Sequence, residues 1–333
     1  MKILHFISGG DSGGAKTHVL TLLNIEVELL CIMEGVFTEE ARELGIPVTI
    51  IPQEKRWDLS VLSKVKKFIN NCGCDLVHCH GARANYISLF IRGGVKVPMI
   101  TTLHSDYKLD FKDNPRKQLI YTPINAFALR RYKHILAVTK AFKYMLMLRG
   151  FKEERIDVIY NGIDFSQELQ TYDMYTFFKN INVPHDLNKK YVGIAARLFA
   201  VKGVNVFLDM AKIIADKRED IDFIILGNGE MWQQCQDFIK ENKLENRVYM
   251  AGQVTDPVMM NSYYKYIDVN TLTSYSESFP YALLEGARCK CATVATAVGG
   301  IPEMIIDGES GCLVQSGDSK ALAECVEMLC DKD

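Results

Sequence analysis

Short apolar runs recur along the chain, each followed by a turn and then by a stretch whose apolar positions carry helical spacing. In the first half the runs predict strands at Lys2–Ile7, Val27–Ile32, Pro47–Ile51, Leu76–His80, Met99–Leu103, Ile135–Val138 and Asp157–Ile159. In the second half they predict strands at Tyr191–Ala196, Asp222–Leu226, Arg247–Met250, Asp268–Leu272, Ala292–Thr296 and Cys312–Val314. Strands this continuously apolar are buried on both faces, the environment of parallel strands between helices. Alternating strand and helix predicts an α/β, doubly wound sheet, and here the alternation happens twice. The expected organisation is one such domain over residues 1–165, a polar and aromatic linker with short helical pieces over 166–188, and a second domain over 189–333. Two domains facing across a cleft would present ligands with the carboxyl ends of their strands. The spacing fails in one place. A helix opening after Gly14 must end near Asn24, yet Ile25 runs straight into the next strand with no turn residue. A connection is needed there, so residues are expected to be missing near Asn24, and the chain also stops just after a helix, at Asp333.

Composition narrows the class. With 333 residues, 48% of them hydrophobic and 24% charged, the chain is long and apolar enough to bury a core, which excludes disordered, collagen-like and disulfide-scaffold proteins. A net charge of −2 gives no sign of nucleic-acid binding. The ten cysteines contain no C-x-x-C pair and read as small core hydrophobes of a reducing compartment. Met1 and Lys2 lead into an apolar run too short for a secretion signal, and no stretch approaches a membrane span. The expected location is cytoplasmic, or peripheral on the inner face of the membrane.

Four loops carry candidate chemistry. The first, Ser8-Gly9-Gly10-Asp11-Ser12-Gly13-Gly14-Ala15, joins a strand to a helix and could bring backbone N–H groups to a phosphate, although taken alone it is equally a tight turn. It lacks the G-x-G-x-x-G of a dinucleotide site, which disfavours an oxidoreductase. In the second, Arg197 and Lys202 flank a loop that opens a helix at Gly203; the pair suits a diphosphate, and taken alone is also consistent with two solvated charges. The third runs from Ser274 to Gly286. Pro280 suits the first position of a helix, which would leave the N–H groups of Tyr281, Ala282 and Leu283 unpaired. Glu277 and Glu285 could straddle one ligand and accept hydrogen bonds from a sugar diol. The fourth, Val298-Gly299-Gly300-Ile301-Pro302-Glu303, is a second backbone-donor loop. His78 and His80 alternate on one strand; as metal ligands they would need a third partner that the sequence does not reveal, so lining a cleft or packing is the expectation.

Together these motifs resemble the retaining glycosyltransferases of the GT-B fold, family 4. The resemblance runs through Gly13-Gly14-Ala15 and His18, Asp75-Leu76-Val77-His78-Cys79-His80-Gly81, His104-Ser105-Asp106, Asn161-Gly162-Ile163-Asp164, Arg197 with Lys202-Gly203, Glu277 with Glu285, and Gly299-Gly300. It implies GT-B architecture, two doubly wound Rossmann-like domains facing across a cleft, with the acceptor on the first and a nucleotide-sugar donor, UDP-sugar foremost, on the second. Arg197 and Lys202 would bind the donor diphosphate and stabilise the leaving group. Glu285 would hold the ribose and Glu277 the donor sugar. Val254, Ser278, Phe279, Pro280, Tyr281, Ala282 and Leu283 would complete the donor pocket, Gly13 and Gly14 would close over the diphosphate, and His104 would sit beside the transferred sugar. His18, His80, Arg83 and Asn161 would face the acceptor. The chain departs from the family at Ser278, where glycine is usual, and at Cys291, where threonine is common. The long helix that normally returns to the first domain is missing.

The implied reaction is a retaining transfer to an acceptor of cell-surface polysaccharide or glycolipid synthesis, the expected host being bacterial, with no cofactor beyond the nucleotide-sugar co-substrate. No metal is expected, because the Asp-x-Asp at Asp331 to Asp333 ends the chain after a helix and Arg197, Lys202 and a helix dipole supply charge instead. A sugar-nucleotide epimerase on the same fold, or a catalytically silent sugar-nucleotide-binding module, are the alternatives. One further asymmetry bears on partners. Between Lys108 and Arg155 there are twelve Lys or Arg against four Asp or Glu, interleaved with aromatics. The stretch reads either as solvated helix faces or as a surface for anionic lipid or a lipid-linked acceptor, led by Arg130, Arg131, Lys133, Lys140 and Lys143; nucleic acid is not expected.

Overall fold

The structure, a computed structural model, describes residues 1–10, 18–20, 27–55, 58–109, 115–166 and 168–331. The chain folds as two units, Met1–Gly162 and Ile163–Asp333. The first holds seven parallel strands, β1 (Ile3–Ile7), β2 (Val27–Cys31), β3 (Val48–Ile50), β4 (Leu76–His80), β5 (Met99–Leu103), β6 (Ile135–Ala137) and β7 (Ile156–Val158). Their order across the sheet is β3-β2-β1-β4-β5-β6-β7. All five residues of β1 are buried, so the apolar run does mark a strand covered on both faces. One face packs on Val19, Phe37, Ala41 and Ile46.

The second unit has six parallel strands, β8 (Lys190–Ala195), β9 (Ile221–Leu226), β10 (Val248–Gly252), β11 (Val269–Leu272), β12 (Ala292–Thr296) and β13 (Cys312–Val314), ordered β10-β9-β8-β11-β12-β13. The helices Val204–Ala215 and Ser319–Cys330 bury Phe207, Met210, Ile214, Leu322 and Val326 against this sheet. Asp222 lies inside the otherwise apolar β9 and is 5% exposed. A charge there is tolerable only when paired: Arg247 Nε donates to it at 2.8 Å and Lys189 Nζ at 3.3 Å.

Every predicted strand is present, with ends shifted by a residue or two. The segment read as a linker carries a short helix, as expected, at Met174–Asn180, but it is not a linker in its packing: Phe177 and Phe178, followed by Ile181 and Val183, are buried with Tyr191, Ile224 and Tyr263. The aromatics that made the stretch look irregular are core residues, so most of 166–188 belongs to the second unit. All ten cysteines are free thiols. No helix among the described residues is long and apolar enough to cross a membrane.

Each sheet has a point where strand order reverses, between β1 and β4 in the first unit and between β8 and β11 in the second. Loops leaving the carboxyl ends of the two flanking strands diverge there and leave a crevice. Arg197 and Lys202 follow β8, Glu277 to Glu285 follow β11 and His80 ends β4, whereas Val254 follows β10 and Asn161 follows β7.

Candidate functional site

In the second unit, Arg197 follows β8, and the turn Ala200–Lys202 leads into Gly203. Gly203 has φ +64° and caps the helix that starts at Val204, where a Cβ would stand 2.1 Å from the Thr273 carbonyl oxygen. The loop after β11 is bound to this turn: Thr273 Oγ1 donates to the Lys202 and Gly203 carbonyls at 3.1 and 2.9 Å, and the Tyr275 N–H to the Val201 carbonyl at 2.8 Å. The loop after β12 closes on it from the other side. Gly299, at φ +57°, brings its backbone so near the Glu277 carbonyl that a Cβ would lie 1.7 Å from that oxygen, and the Gly300 N–H donates to Ser278 at 2.9 Å.

Charged side chains converge on this framework. Lys202 Nζ meets Glu277 Oε1 at 2.5 Å, and Ser274 Oγ donates to the same oxygen at 2.7 Å. The two residues expected to hold different parts of a donor therefore neutralise each other. Arg197 is exposed with its guanidinium over the Phe199 ring at 5.4 Å, and makes no ion pair among the described residues. Glu285 is pushed above the ordinary carboxylate range by burial, an effect opposed by Arg288 and by a hydrogen bond from the Tyr264 hydroxyl. The helix beginning at Tyr281 has Pro280 as its extended N-cap, one position earlier than expected, and the Leu283 N–H is not free: it donates to the Pro280 carbonyl at 3.2 Å. Phe279 and Tyr281 are buried, leaving backbone as what they can offer a ligand. Val254 packs beside the aromatic cluster of Phe177 and Tyr263. Asp331, from the terminal Asp-x-Asp, is engaged by Arg218 at 2.6 Å, while Asp333 lies outside the described residues.

In the first unit the reversal point is built from imidazoles. Strands β1 and β4 pair so that His5 stands opposite His78. His80 ends β4 and His104 follows β5. His5 Nδ1 is 2.9 Å from His80 Nε2, and His80 Nδ1 is 2.9 Å from His104 Nε2. His78 Nε2 lies 2.6 Å from Thr102 Oγ1. His18 joins them, its ring 5.1 Å from that of His104, with a hydrogen bond to Asn161. Five of the chain's seven histidines thus share one cluster. Burial holds them uncharged: His5 falls to about 4 and His104 to about 3, with His18 lowered and His78 and His80 well below the usual range.

The third partner missing from His78 and His80 is His5, invisible until β1 and β4 are known to be neighbours. Ligand atoms of the three lie within 4.8 Å of one another, an arrangement open to a metal. Both nitrogens of His80 are already hydrogen-bonded, so coordination would break one of those bonds. Arg83 is bonded by Nη2 to Gln53 Oε1 at 2.9 Å. Gly13 and Gly14 lie outside the described residues.

The basic stretch is partly structural. Arg130 sits over the Phe151 ring at 4.5 Å and donates to the Arg149 carbonyl, Arg149 pairs with Asp106 at 2.6 Å, and Lys143 with Glu153 at 3.1 Å. Tyr107, Tyr132, Phe142 and Phe151 are buried, whereas Phe127 and Tyr144 are exposed.

Residues 12–167 match Glycosyltransferase Family 4, and residues 177–333 match Glycosyl transferases group 1. The N-acetyl-alpha-D-glucosaminyl L-malate synthase of Bacillus anthracis is 26% identical over 83% of this chain and 71% of its own length. The capsular polysaccharide biosynthesis glycosyltransferase CapM of Staphylococcus aureus is 25% identical over 59% of this chain and 51% of its own. The crystal structure of Anabaena Alr3699/HepE with UDP and glucose superposes with a TM-score of 0.83 over 100% of this chain and 90% of that one, at 23% identity. With one family description on each half and the same two-sheet architecture in its structural relatives, the chain belongs to the family 4 glycosyltransferases of the GT-B fold.

Proposed function

We propose that this chain is a retaining, metal-independent glycosyltransferase, moving a sugar from a UDP-sugar to an acceptor of cell-surface polysaccharide or glycolipid synthesis. The observation that carries this reading is the meeting of Lys202 and Glu277 on glycine-locked loops at the β8/β11 reversal, with Arg197 on the loop after β8 and Glu285 in the helix that follows β11. Breaking a glycosyl–phosphate bond leaves a nucleoside diphosphate, whose growing charge must be stabilised. Arg197 offers a two-pronged grip on phosphate oxygens and Lys202 a point charge. Glu277 pairs with Lys202. An arriving diphosphate would compete for that ammonium and release Glu277 toward a hydroxyl of the donor sugar. The N-terminus of the helix at Tyr281 adds a positive dipole. Glu285 would accept from the ribose diol, and the retaining outcome rests on the family resemblance. His104, with His18, His80, Arg83 and Asn161, is proposed for the transferred sugar and the acceptor.

UDP in the Anabaena structure supports the nucleotide, and the name of the S. aureus relative supports a polysaccharide acceptor. For a lipid-linked acceptor, the helix Pro115–Leu129 offers Leu119, Ile120 and Phe127, 78%, 48% and 49% exposed, beside Arg116 and Lys117.

Incubation with UDP-, GDP- and ADP-sugars tests the reading. Transfer, or slow donor hydrolysis, that survives EDTA is expected. Loss on chelation with recovery in Mg²⁺ removes metal independence. Isomerised sugar nucleotide without acceptor makes the chain an epimerase, and binding with neither transfer nor hydrolysis makes it a silent module.

A further inference from the structure

His5, His80 and His104 form an unbranched chain of three rings joined by two hydrogen bonds. Among the described residues no carboxylate bonds any of the three, and burial keeps each uncharged, so each ring carries one N–H. Two bonds and three protons leave two consistent arrangements. In the outward one, His5 Nδ1–H donates to His80 Nε2 and His80 Nδ1–H donates to His104 Nε2. His5 Nε2 is then a bare lone pair, and His104 carries a proton on Nδ1. In the inward one, His104 Nε2–H donates to His80 and His80 Nε2–H donates to His5. His5 then holds its proton on Nε2, and His104 Nδ1 is bare. Any mixture puts two lone pairs, or two hydrogens, into one of the 2.9 Å gaps.

The far end decides between them. His5 is 0% exposed and its Nε2 has no hydrogen-bond partner among the described residues. A buried N–H without a partner is a rarer and costlier defect than an acceptor without one.

We infer that the chain of imidazoles runs outward from His5, so that His104 carries its proton on Nδ1 and meets substrate as a hydrogen-bond donor and not as a base. This rests on the reading that His104 faces the transferred sugar. The group it fits is an acceptor oxygen, a sugar hydroxyl or a phosphoryl oxygen, and it cannot take the proton of the attacking hydroxyl. His5 and His80 are positioning residues that act through His104, which explains histidines inside β1 and β4 where an apolar side chain would pack as well.

The ring protons can be read without substrate, so failure here is separate from failure of the proposed reaction. In ¹⁵N–¹H correlation spectra of the ligand-free chain, all three rings should be protonated on Nδ1, the opposite of the form that dominates for free imidazole side chains in water. His80→Asn, whose amide nitrogen replaces Nδ1–H, should keep His104 in this state. His5→Asp, which puts an acceptor where Nδ1–H was, should turn the chain around, move the His104 proton to Nε2 and lower kcat about tenfold or more, with the donor KM unchanged. His104 protonated on Nε2 in the unsubstituted chain overturns the inference. So does one tightly held metal ion per chain at His5, His78 and His80, because the metal would take the lone pairs that the hydrogen bonds use.

Discussion

The two reversal points share a topology and differ in electrostatics. At β1/β4 the side chains are imidazoles stripped of charge by burial; at β8/β11 they are an exposed guanidinium, an ammonium–carboxylate pair and a half-buried carboxylate. Strand order fixes where a ligand can lie, and the side chains on the diverging loops fix which ligand. Neutral donors and acceptors suit hydroxyl groups, which carry no charge to compensate. Charged groups suit a diphosphate.

Acid should separate the units most strongly. A histidine whose folded pKa is depressed stabilises the fold fully above its unfolded value near 6.5, and that stability is lost as pH falls toward the folded value. With folded values of about 4 for His5 and about 3 for His104, each costs about 2 kcal/mol by pH 5, and His78 and His80 push the same way. A domain holds about 5–15 kcal/mol in total. The first unit should therefore unfold on acidification from pH 6.5 to 5 while the second persists, seen by hydrogen exchange resolved by segment. Simultaneous loss of both units erases the contrast.

Substitution of the cations comes next in size. Arg197→Ala and Lys202→Ala should each weaken UDP binding about ten- to hundredfold in calorimetry, with uridine alone barely affected and the acid midpoint of the first unit unmoved. Equal losses for uridine and UDP refute the phosphate assignment.

Glu285→Gln sharpens the comparison within the charged site. Burial raises the pKa of this carboxyl, so its ionised form destabilises the ligand-free fold at neutral pH, and the penalty vanishes as pH falls through the raised value. The amide should raise the melting temperature of the second unit by about 2–4 °C per kcal/mol recovered, while uridine binding weakens. A lower melting temperature contradicts the burial argument.

The smallest effect concerns the exposed face of helix Pro115–Leu129. Replacing Leu119 and Phe127 with Ser should reduce recovery on anionic vesicles at low salt, where each nearby Lys or Arg contributes about 1 kcal/mol, without changing UDP affinity. Equal recovery on neutral vesicles, or none on either kind, favours a soluble acceptor.

Nearly all of the architecture was legible in the chain, because strands covered on both faces announce themselves as apolar runs. The positions of the charged candidates were legible too, Arg197, Lys202 and Glu277 on loops between predicted elements and Glu285 just inside the helix that follows. What stayed hidden depends on neighbours distant in sequence. His5 looked like one polar residue in a strand until its pairing with His78 became visible. Phe177 and Phe178 looked like linker because their partners Tyr191 and Tyr263 come later in the chain. The pairing of Lys202 with Glu277 across 75 positions was likewise beyond any local pattern.

The glycines that lock the donor loops carry a consequence for engineering. At residues 203 and 299 the nearest obstacle to a side chain is a backbone carbonyl, which cannot swing aside as a side chain would. Every amino-acid replacement there must push two loops apart at once, so random mutagenesis at these codons returns only losses. A library meant to change the accepted sugar should hold both positions fixed and spend its diversity on Ser278 and Tyr275, whose side chains can vary while the frame that presents them stays in register.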